Sequence, residues 1–272
     1  GFAHVSCLAE QAEILVADAQ ERHLDDDQWA RWSTCSLCGQ DYHGVVSCAF
    51  GWACWKTYLG QPETDWARRF AMTQLGNGLS AADHYADALS VYESQLSTML
   101  RIGEPVENVL IVQGNLARTY QSLRREEEAL QMRRDVYSGR LKLHGEENPH
   151  SLLAASNYAG SLFSLKRFEE VRSLLRRTIP VAQRVLGDSN DTTLRTRWFY
   201  AKALYGDPGA TFDDLREAVT TLEDLERITR RVFGGEHPAT ENIQGSLRES
   251  RAALSARSVC EAMAAMTPPG DA

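Results

Sequence analysis

From Trp66 onward, apolar and polar positions recur with the period of an amphipathic helix. Each apolar stretch stops at a glycine, at Gly103, Gly145, Gly187 and Gly234, with spacings of 42, 42 and 47 residues. Because glycine readily adopts the left-handed conformation that ends a helix, each of these positions is predicted to mark a helix C-terminus. The regular spacing indicates an internal repeat built from helices.

Two further patterns recur inside each repeat. A large residue followed by a small one marks the first helix, at Leu75/Gly76, Leu116/Ala117, Tyr158/Ala159 and Tyr200/Ala201. The second helix carries a small residue at Ala88 and Ala129, which Val171 and Leu215 replace in the later copies. Because small residues let two helices approach closely, these patterns predict four helix pairs from about Asp65, followed by a terminal helix near residues 239–257.

This order of residues resembles the tetratricopeptide repeat. The 42-residue period exceeds the usual length of about 34 and resembles the kinesin-light-chain type. The segment from Phe233 to Pro238, with the sequence Phe-Gly-Gly-Glu-His-Pro, is similar to the linker of that type. The resemblance implies an all-α superhelix, or α-solenoid, and a non-enzymatic protein-interaction scaffold.

The residues before the repeats differ in composition, since five of the six cysteines and five of the six tryptophans lie before residue 67. His4 and Cys7 are separated by two residues, as are Cys35 and Cys38. A tight turn with this spacing points both donors to one side, which suits zinc. The pattern predicts His4, Cys7, Cys35 and Cys38 as zinc ligands. The alternative is that the cysteines are buried thiols and that His4 is a polar surface residue.

The same four residues, with the flanking Trp32, resemble the distal half of a RING-variant zinc finger. The resemblance implies that His4 and Cys7 serve one zinc ion while Cys35 and Cys38 serve another, each completed by an upstream cysteine pair that this sequence lacks. Alternatively, the four residues close a single site. Cys48 and Cys54 lie in the apolar stretch 45–55, which is predicted to be a buried helix in which both thiols pack in the core.

The turn residues of segment 60–64 place a domain boundary there. We therefore predict a zinc-binding module at 1–62, a repeat array at 63–258 and a disordered tail at 259–272. Because the first residue is Gly rather than Met, the sequence is expected to be a piece of a longer or processed chain.

Charge and motifs exclude several classes of function. The net charge of −8 argues against a general nucleic-acid binder, and no apolar run approaches the length of a membrane helix. No phosphate-binding loop, nucleophile elbow or His-Glu-x-x-His motif is present, so we expect no enzymatic activity. Clustered cysteines without a secretion signal favour metal binding and a cytoplasmic location.

The resemblance also predicts where a partner binds, since the first helix of each tetratricopeptide pair lines the concave face. The corresponding residues are Thr73, Asn77, Asn115, Arg118, Ser156, Asn157, Gly160, Arg195, Trp198 and Lys202. Their amides can pair with a peptide backbone, and the three cationic side chains favour an acidic or carboxylate-terminated segment. The alternatives are that this face is merely solvated, or that the chain recruits substrates as part of a RING-type ubiquitin ligase.

Overall fold

The computed structural model describes residues 4–22 and 26–266. These residues form eleven α-helices, a short 3-10 helix at Asp26–Trp32 and one isolated antiparallel bridge between Thr34 and Asp41. The chain divides into two compact units, Gly1–Met132 and Arg133–Ala272. The all-α repeat fold that the sequence predicts is therefore confirmed for the described residues.

The first unit holds five complete helices and the start of a sixth. They are α1 (Val5–Glu21), α2 (Gly44–Tyr58), α3 (Trp66–Ala81), α4 (Tyr85–Ile102), α5 (Val106–Ser122) and the first turns of α6 (Glu126–His144). The side chain of Asp65 begins α3 by accepting the Ala67 N–H at 2.7 Å. Gly103 ends α4 with a φ of 72°, as the sequence predicts.

Two glycines let the backbones of α2 and α3 approach closely. A Cβ added to Gly51 would lie 2.7 Å from the Gln74 carbonyl oxygen, and one added to Gly78 would lie 2.5 Å from that of Ser47. The apolar core of this unit also runs from the N-terminal segment into the repeats, since Tyr58 clusters with side chains of α3. The boundary predicted at residues 62/63 thus falls inside one compact unit.

The second unit contains the rest of α6 and five more helices. They are α7 (Pro149–Ser164), α8 (Phe168–Leu186), α9 (Asp191–Gly206), α10 (Phe212–Phe233) and α11 (Pro238–Met266). Gly145, Gly187 and Gly234 follow α6, α8 and α10 with positive φ angles, so the predicted helix ends are confirmed. From α3 onward the helices can be grouped into four consecutive pairs, α3/α4 to α9/α10, followed by α11.

The repeat positions that were identified as small or apolar are buried, except Tyr158, which is partly buried. Ala159 and Ala201 are fully buried in the first helices of their pairs, and Val171 and Leu215 are buried in the second helices despite replacing alanine. The terminal helix extends to Met266, so residues 259–266 of the segment expected to be disordered are helical. Residues 267–272 lie outside the described part of the chain.

Candidate functional site

The two cysteines Cys35 and Cys38 lie on one tight turn that the Thr34–Asp41 bridge closes. The Gly39 N–H donates to the Cys35 carbonyl at 2.9 Å, and the Cys35 N–H donates to the Gln40 carbonyl at 2.8 Å. The backbone N–H groups of Cys38 and Leu37 point at the Cys35 sulfur and lower the pKa of its thiol. A turn that stabilises thiolate in this way fits one half of a zinc site.

The remaining predicted zinc ligands are not brought to this turn. His4 directly precedes α1 and Cys7 lies in its first turn, and both are exposed. Among the described residues, no three His, Cys, Asp or Glu side chains form a group that could hold a metal ion. The single four-ligand site is therefore not formed in this part of the chain, whereas the arrangement of two separate half-sites remains a prediction.

The other cysteines of this segment serve packing, as predicted. Cys54 is fully buried with Phe50 and Tyr58 around it, and burial raises the pKa of its thiol. Cys48 is partly buried against the core between α3 and α4. The helix that carries them is not buried on every side, however, because Val45 is 77% exposed and Trp52 is 45% exposed.

The first unit contains a groove of about 620 Å³ that we call the polar groove. One wall consists of the repeat helices α3 and α5, and the other is formed by the connection between the 3-10 helix and α2 and by the start of α2. Its lining comprises Ser33, Asp41, Tyr42, His43, Ser47, Gln74, Asn77, Ser80, Ala81, Tyr85, Asn115, Arg118, Thr119 and Ser122. The groove thus contains three of the predicted partner-binding residues.

Those three residues offer both donors and acceptors to the groove. The Asn77 Oδ1 accepts the Tyr92 hydroxyl at 2.7 Å and lies 3.4 Å from a nitrogen of the Arg118 guanidinium. The Asn115 side-chain amide has no hydrogen-bond partner among the described residues, although it lines the groove. Arg118 is exposed, so most of its donors also remain available to a ligand.

Thr73, the first of the predicted residues, contacts the partner helix of its own repeat. Its hydroxyl accepts the Gln95 amide at 2.8 Å and donates to the Arg69 carbonyl at 3.2 Å. These bonds place the side chain against α4, and Thr73 is not among the residues that line the polar groove.

In the second unit, the predicted residues bind one another. Arg195 donates to the Ser156 hydroxyl at 3.1 Å and to the Asn157 side-chain Oδ1 at 2.7 Å. Burial lowers the pKa of the Arg195 guanidinium. The donors and acceptors that the sequence assigned to a partner are therefore used within this unit.

The remaining two predicted residues are held in the same way. The Trp198 indole N–H donates to the Ser246 hydroxyl of α11 at 2.9 Å. The Lys202 ammonium lies 4.6 Å from the ring centroids of both Phe163 and Trp198, a cation–π arrangement. Burial lowers the pKa of Lys202. Gly160 belongs to this region as well, with the Phe199 ring directly against it.

Sequence reasoning missed the wall of the polar groove that Asp41, Tyr42 and His43 provide. These residues precede α2 and carry no repeat spacing that would relate them to Asn115 or Arg118. The nearest signal in the sequence is the Cys35-x-x-Cys38 pair, which predicts a tight turn just before them. Their position beside α3 and α5 follows from the close packing of α2 on α3.

Comparison with known proteins supports the repeat fold. The tetratricopeptide repeat family model matches residues 109–150. No curated protein sequence matches the chain.

Among solved structures, two crystal structures of nearly identical TPR-like repeats come from a Podosopora anserina protein described as a kinesin light chain. Each is 16% identical to this chain and aligns over 85% of this chain and 99% of the other. The TM-score is 0.57 for the first structure, which carries a single substitution, and 0.56 for the second. The structure of BtubC (BKLC) from P. vanneervenii is 13% identical, aligns over 100% of this chain and 96% of the other, and has a TM-score of 0.54.

These similarities concern the fold, because the identities are low. They support a repeat of the kinesin-light-chain-like tetratricopeptide type and do not extend to the predicted zinc finger. Within the described residues, no helix is both long and apolar enough to cross a membrane.

Proposed function

We propose that this protein is a non-enzymatic interaction scaffold whose polar groove binds an extended peptide or protein segment. The observation that carries the proposal is the unpaired Asn115 amide beside the exposed Arg118 in a groove of about 620 Å³. An asparagine amide can pair with the N–H and C=O groups of a peptide whatever its side chains. A tetratricopeptide-like fold, whose repeats commonly bind proteins or peptides, agrees with this role.

The ligand is a segment that carries a carboxylate, either on an acidic side chain or at a chain end. Arg118 is the only arginine or lysine that lines the polar groove, and it can form charge-assisted hydrogen bonds with a carboxylate. The one carboxylate in the lining, that of Asp41, accepts the Thr34 hydroxyl at 3.0 Å on the opposite wall. A carboxylate would therefore contact the α5 side of the groove.

Zinc is the second element of the proposal. Cys35 and Cys38 would supply two thiolates from their turn, while His4 and Cys7 would belong to a separate site. Bound zinc would stabilise the fold of the connection that also provides Asp41, Tyr42 and His43 to the polar groove. Metal analysis of the purified full-length protein should find zinc that disappears in the Cys35→Ser/Cys38→Ser variant. A folded full-length protein without metal would refute this part of the proposal.

Binding to the groove can be tested on an array of random peptides. We expect the wild-type chain to select peptides enriched in Asp and Glu, and the Asn115→Ala/Arg118→Glu variant to lose that selection. The matched control is Arg134→Glu, which makes the same charge change at an exposed position on α6 outside the polar groove. Retained selection by the folded double variant would show that peptides bind elsewhere.

The Lys202→Glu variant tests whether the peptide binds to the second unit rather than to the polar groove. Because the Lys202 ammonium is enclosed by Phe163 and Trp198, we expect this substitution to leave the selected peptides unchanged. A change in selection would assign the ligand to the second unit. The alternative function, substrate recruitment for a RING-type ubiquitin ligase, gains no separate support from the described residues.

A further inference from the structure

A second cavity of the first unit shares no lining residue with the polar groove. It has a volume of about 160 Å³ and lies between α2, the connection before α3, α3 itself and α4. We call it the Gln95 cavity, and the residues that matter for its chemistry are Trp55, Glu63, Arg68, Met72, Gln95 and Met99. None of these residues belongs to the predicted partner site.

One residue that lines the cavity has a buried acceptor without a donor. Gln95 is only 2% exposed, and its amide nitrogen donates to the Arg69 carbonyl at 3.0 Å and to the Thr73 hydroxyl at 2.8 Å. These two bonds fix the orientation of the amide. Its Oε1 is buried and receives no hydrogen bond from the described residues. An unpaired buried carbonyl destabilises the folded chain, so a ligand that brings an N–H or O–H group to it would relieve this cost.

The charge at the cavity is positive. The Arg68 guanidinium donates to the Gln61 carbonyl at 2.8 Å and lies 5.8 Å from the centre of the Trp55 ring, but it makes no ion pair with a described residue. The carboxylate of Glu63 is paired with Arg101, which lowers the pKa of Glu63. Arg69 is likewise paired with Glu104 at 3.2 Å. Arg68 also contributes to the lowered pKa of Glu63, but it shares that carboxylate with Arg101. The residues around the cavity therefore carry more positive than negative charge, which favours an anion and disfavours a cation.

The remaining wall is partly apolar, with Ser94 and Thr98 beside three apolar side chains. Met99 is buried, and Met72 and Trp55 are partly buried beside it. A space of about 160 Å³ accommodates a group the size of one side chain rather than a folded surface. Thus a small apolar substituent fits against the thioethers and the indole while polar groups of the same molecule reach Arg68 and Gln95.

From this combination, we propose that the Gln95 cavity binds a small carboxylate that carries a hydroxyl or amide N–H group next to a short apolar substituent. The carboxylate pairs with Arg68, and the adjacent donor binds the Gln95 Oε1. Two sources share this chemistry, namely a free hydroxy acid and the C-terminal residue of a polypeptide. The proposal is independent of peptide binding in the polar groove.

The test is a ligand-observed NMR titration of the whole chain with four small probes. Lactate represents the free hydroxy acid and N-acetylalanine represents the chain end. The methyl ester of N-acetylalanine lacks the charge, and N-acetyl-N-methylalanine lacks the donor. We expect lactate, N-acetylalanine or both to bind. If N-acetylalanine binds, its methyl ester and N-acetyl-N-methylalanine should each bind about ten-fold more weakly than N-acetylalanine itself. Binding of lactate alone identifies a free acid, whereas binding of N-acetylalanine alone identifies a chain end.

Two variants locate the binding. Arg68→Met keeps the aliphatic stem and should reduce the affinity for the bound probe about ten-fold, whereas Arg134→Met on α6 should leave it unchanged. Gln95→Leu should also reduce the affinity for the bound probe. If Gln95→Leu fails to fold, N-acetyl-N-methylalanine, which lacks the donor, tests the same hydrogen bond. Absence of binding by both acids, equal binding of the ester, or an unchanged affinity in Arg68→Met would overturn the proposal.

Discussion

The same repeat positions have different surroundings in the two compact units. Asn115 and Asn157 occupy equivalent sites 42 residues apart, and Arg118 and Lys202 are equivalent across two repeats. In the first unit, the Asn115 amide is unpaired and Arg118 is exposed beside the polar groove. In the second unit, Asn157 accepts a hydrogen bond from Arg195, and the Lys202 ammonium lies between two aromatic rings.

Repeat position alone therefore does not make a residue available for binding. A polar side chain on the first helix of a repeat is available to a binding partner only if no side chain of a neighbouring helix already forms a hydrogen bond with it. Arg195 and Trp198 supply such neighbours in the second unit, whereas the corresponding space in the first unit is left open between α3, α5 and the connection before α2. This contrast leads to four predictions.

The largest effect is expected where α2 packs on α3 and so positions one wall of the polar groove. Gly78→Ala should lower the free energy of unfolding by about 3 kcal/mol, because the new Cβ meets the backbone of α2. Gly114→Ala is the matched control, since nothing lies within 4 Å of its added Cβ. Urea unfolding should show that the control is as stable as the wild type or up to about 1 kcal/mol more stable. Equal stability of the two variants would contradict the close approach.

The hydrogen bonds of Arg195 should matter more for stability than for binding. Arg195→Leu leaves the fully buried Ser156 hydroxyl and the Asn157 side-chain Oδ1 without their donor, which should cost about 2 kcal/mol. The urea unfolding midpoint measures this loss. If Arg195→Leu is as stable as the wild type but loses peptide selection, then this face of the second unit is a binding site after all.

A pH dependence is expected in the second unit, where Arg197 on α9 pairs with Asp224 on α10. The hydrogen bond from Arg197 holds the pKa of the Asp224 carboxyl below its usual value, and Arg227 adds to this effect. The stabilisation is therefore complete above the unfolded-state pKa of about 3.9 and is lost as the pH falls through the lower folded-state pKa.

Asp224→Asn should accordingly cost about 1–2 kcal/mol near neutral pH, because Arg197 is left largely buried without its counter-charge. The stability difference from the wild type should shrink when urea unfolding is repeated at progressively lower pH below about 4. A difference that stays constant down to the lowest accessible pH would show that the carboxylate charge contributes nothing.

The smallest effect on stability is expected at the open groove. Arg118→Leu should change the free energy of unfolding by no more than about 0.5 kcal/mol, because the guanidinium is exposed and its hydrogen bond to Asn77 is long at 3.4 Å. The same variant should nevertheless weaken the selection of acidic peptides. A loss of stability comparable to that of Arg195→Leu would mean that the two units do not differ in this respect.

Most of the helical architecture could be predicted from local patterns. The glycines at 103, 145, 187 and 234 gave the ends of four helices, because a left-handed residue breaks the helical hydrogen-bond ladder wherever it occurs. Ala88 and Ala129 are fully buried, as expected of residues at helix crossings. The boundary at residues 62/63 was inferred from composition, which does not register the contact of Gly51 and Gly78 with the facing backbones.

The sequence by itself therefore determined the repeats, their helix ends and the tight Cys35–Cys38 turn, since these depend on residues within a few positions of one another. Only the tertiary structure decided which polar groups remain open. The Arg195–Asn157 bond spans 38 residues and the Thr73–Gln95 bond spans 22. Such pairs form only when the crossing of two helices is fixed by many side chains together, and helical periodicity specifies a face of a helix without specifying what lies against it.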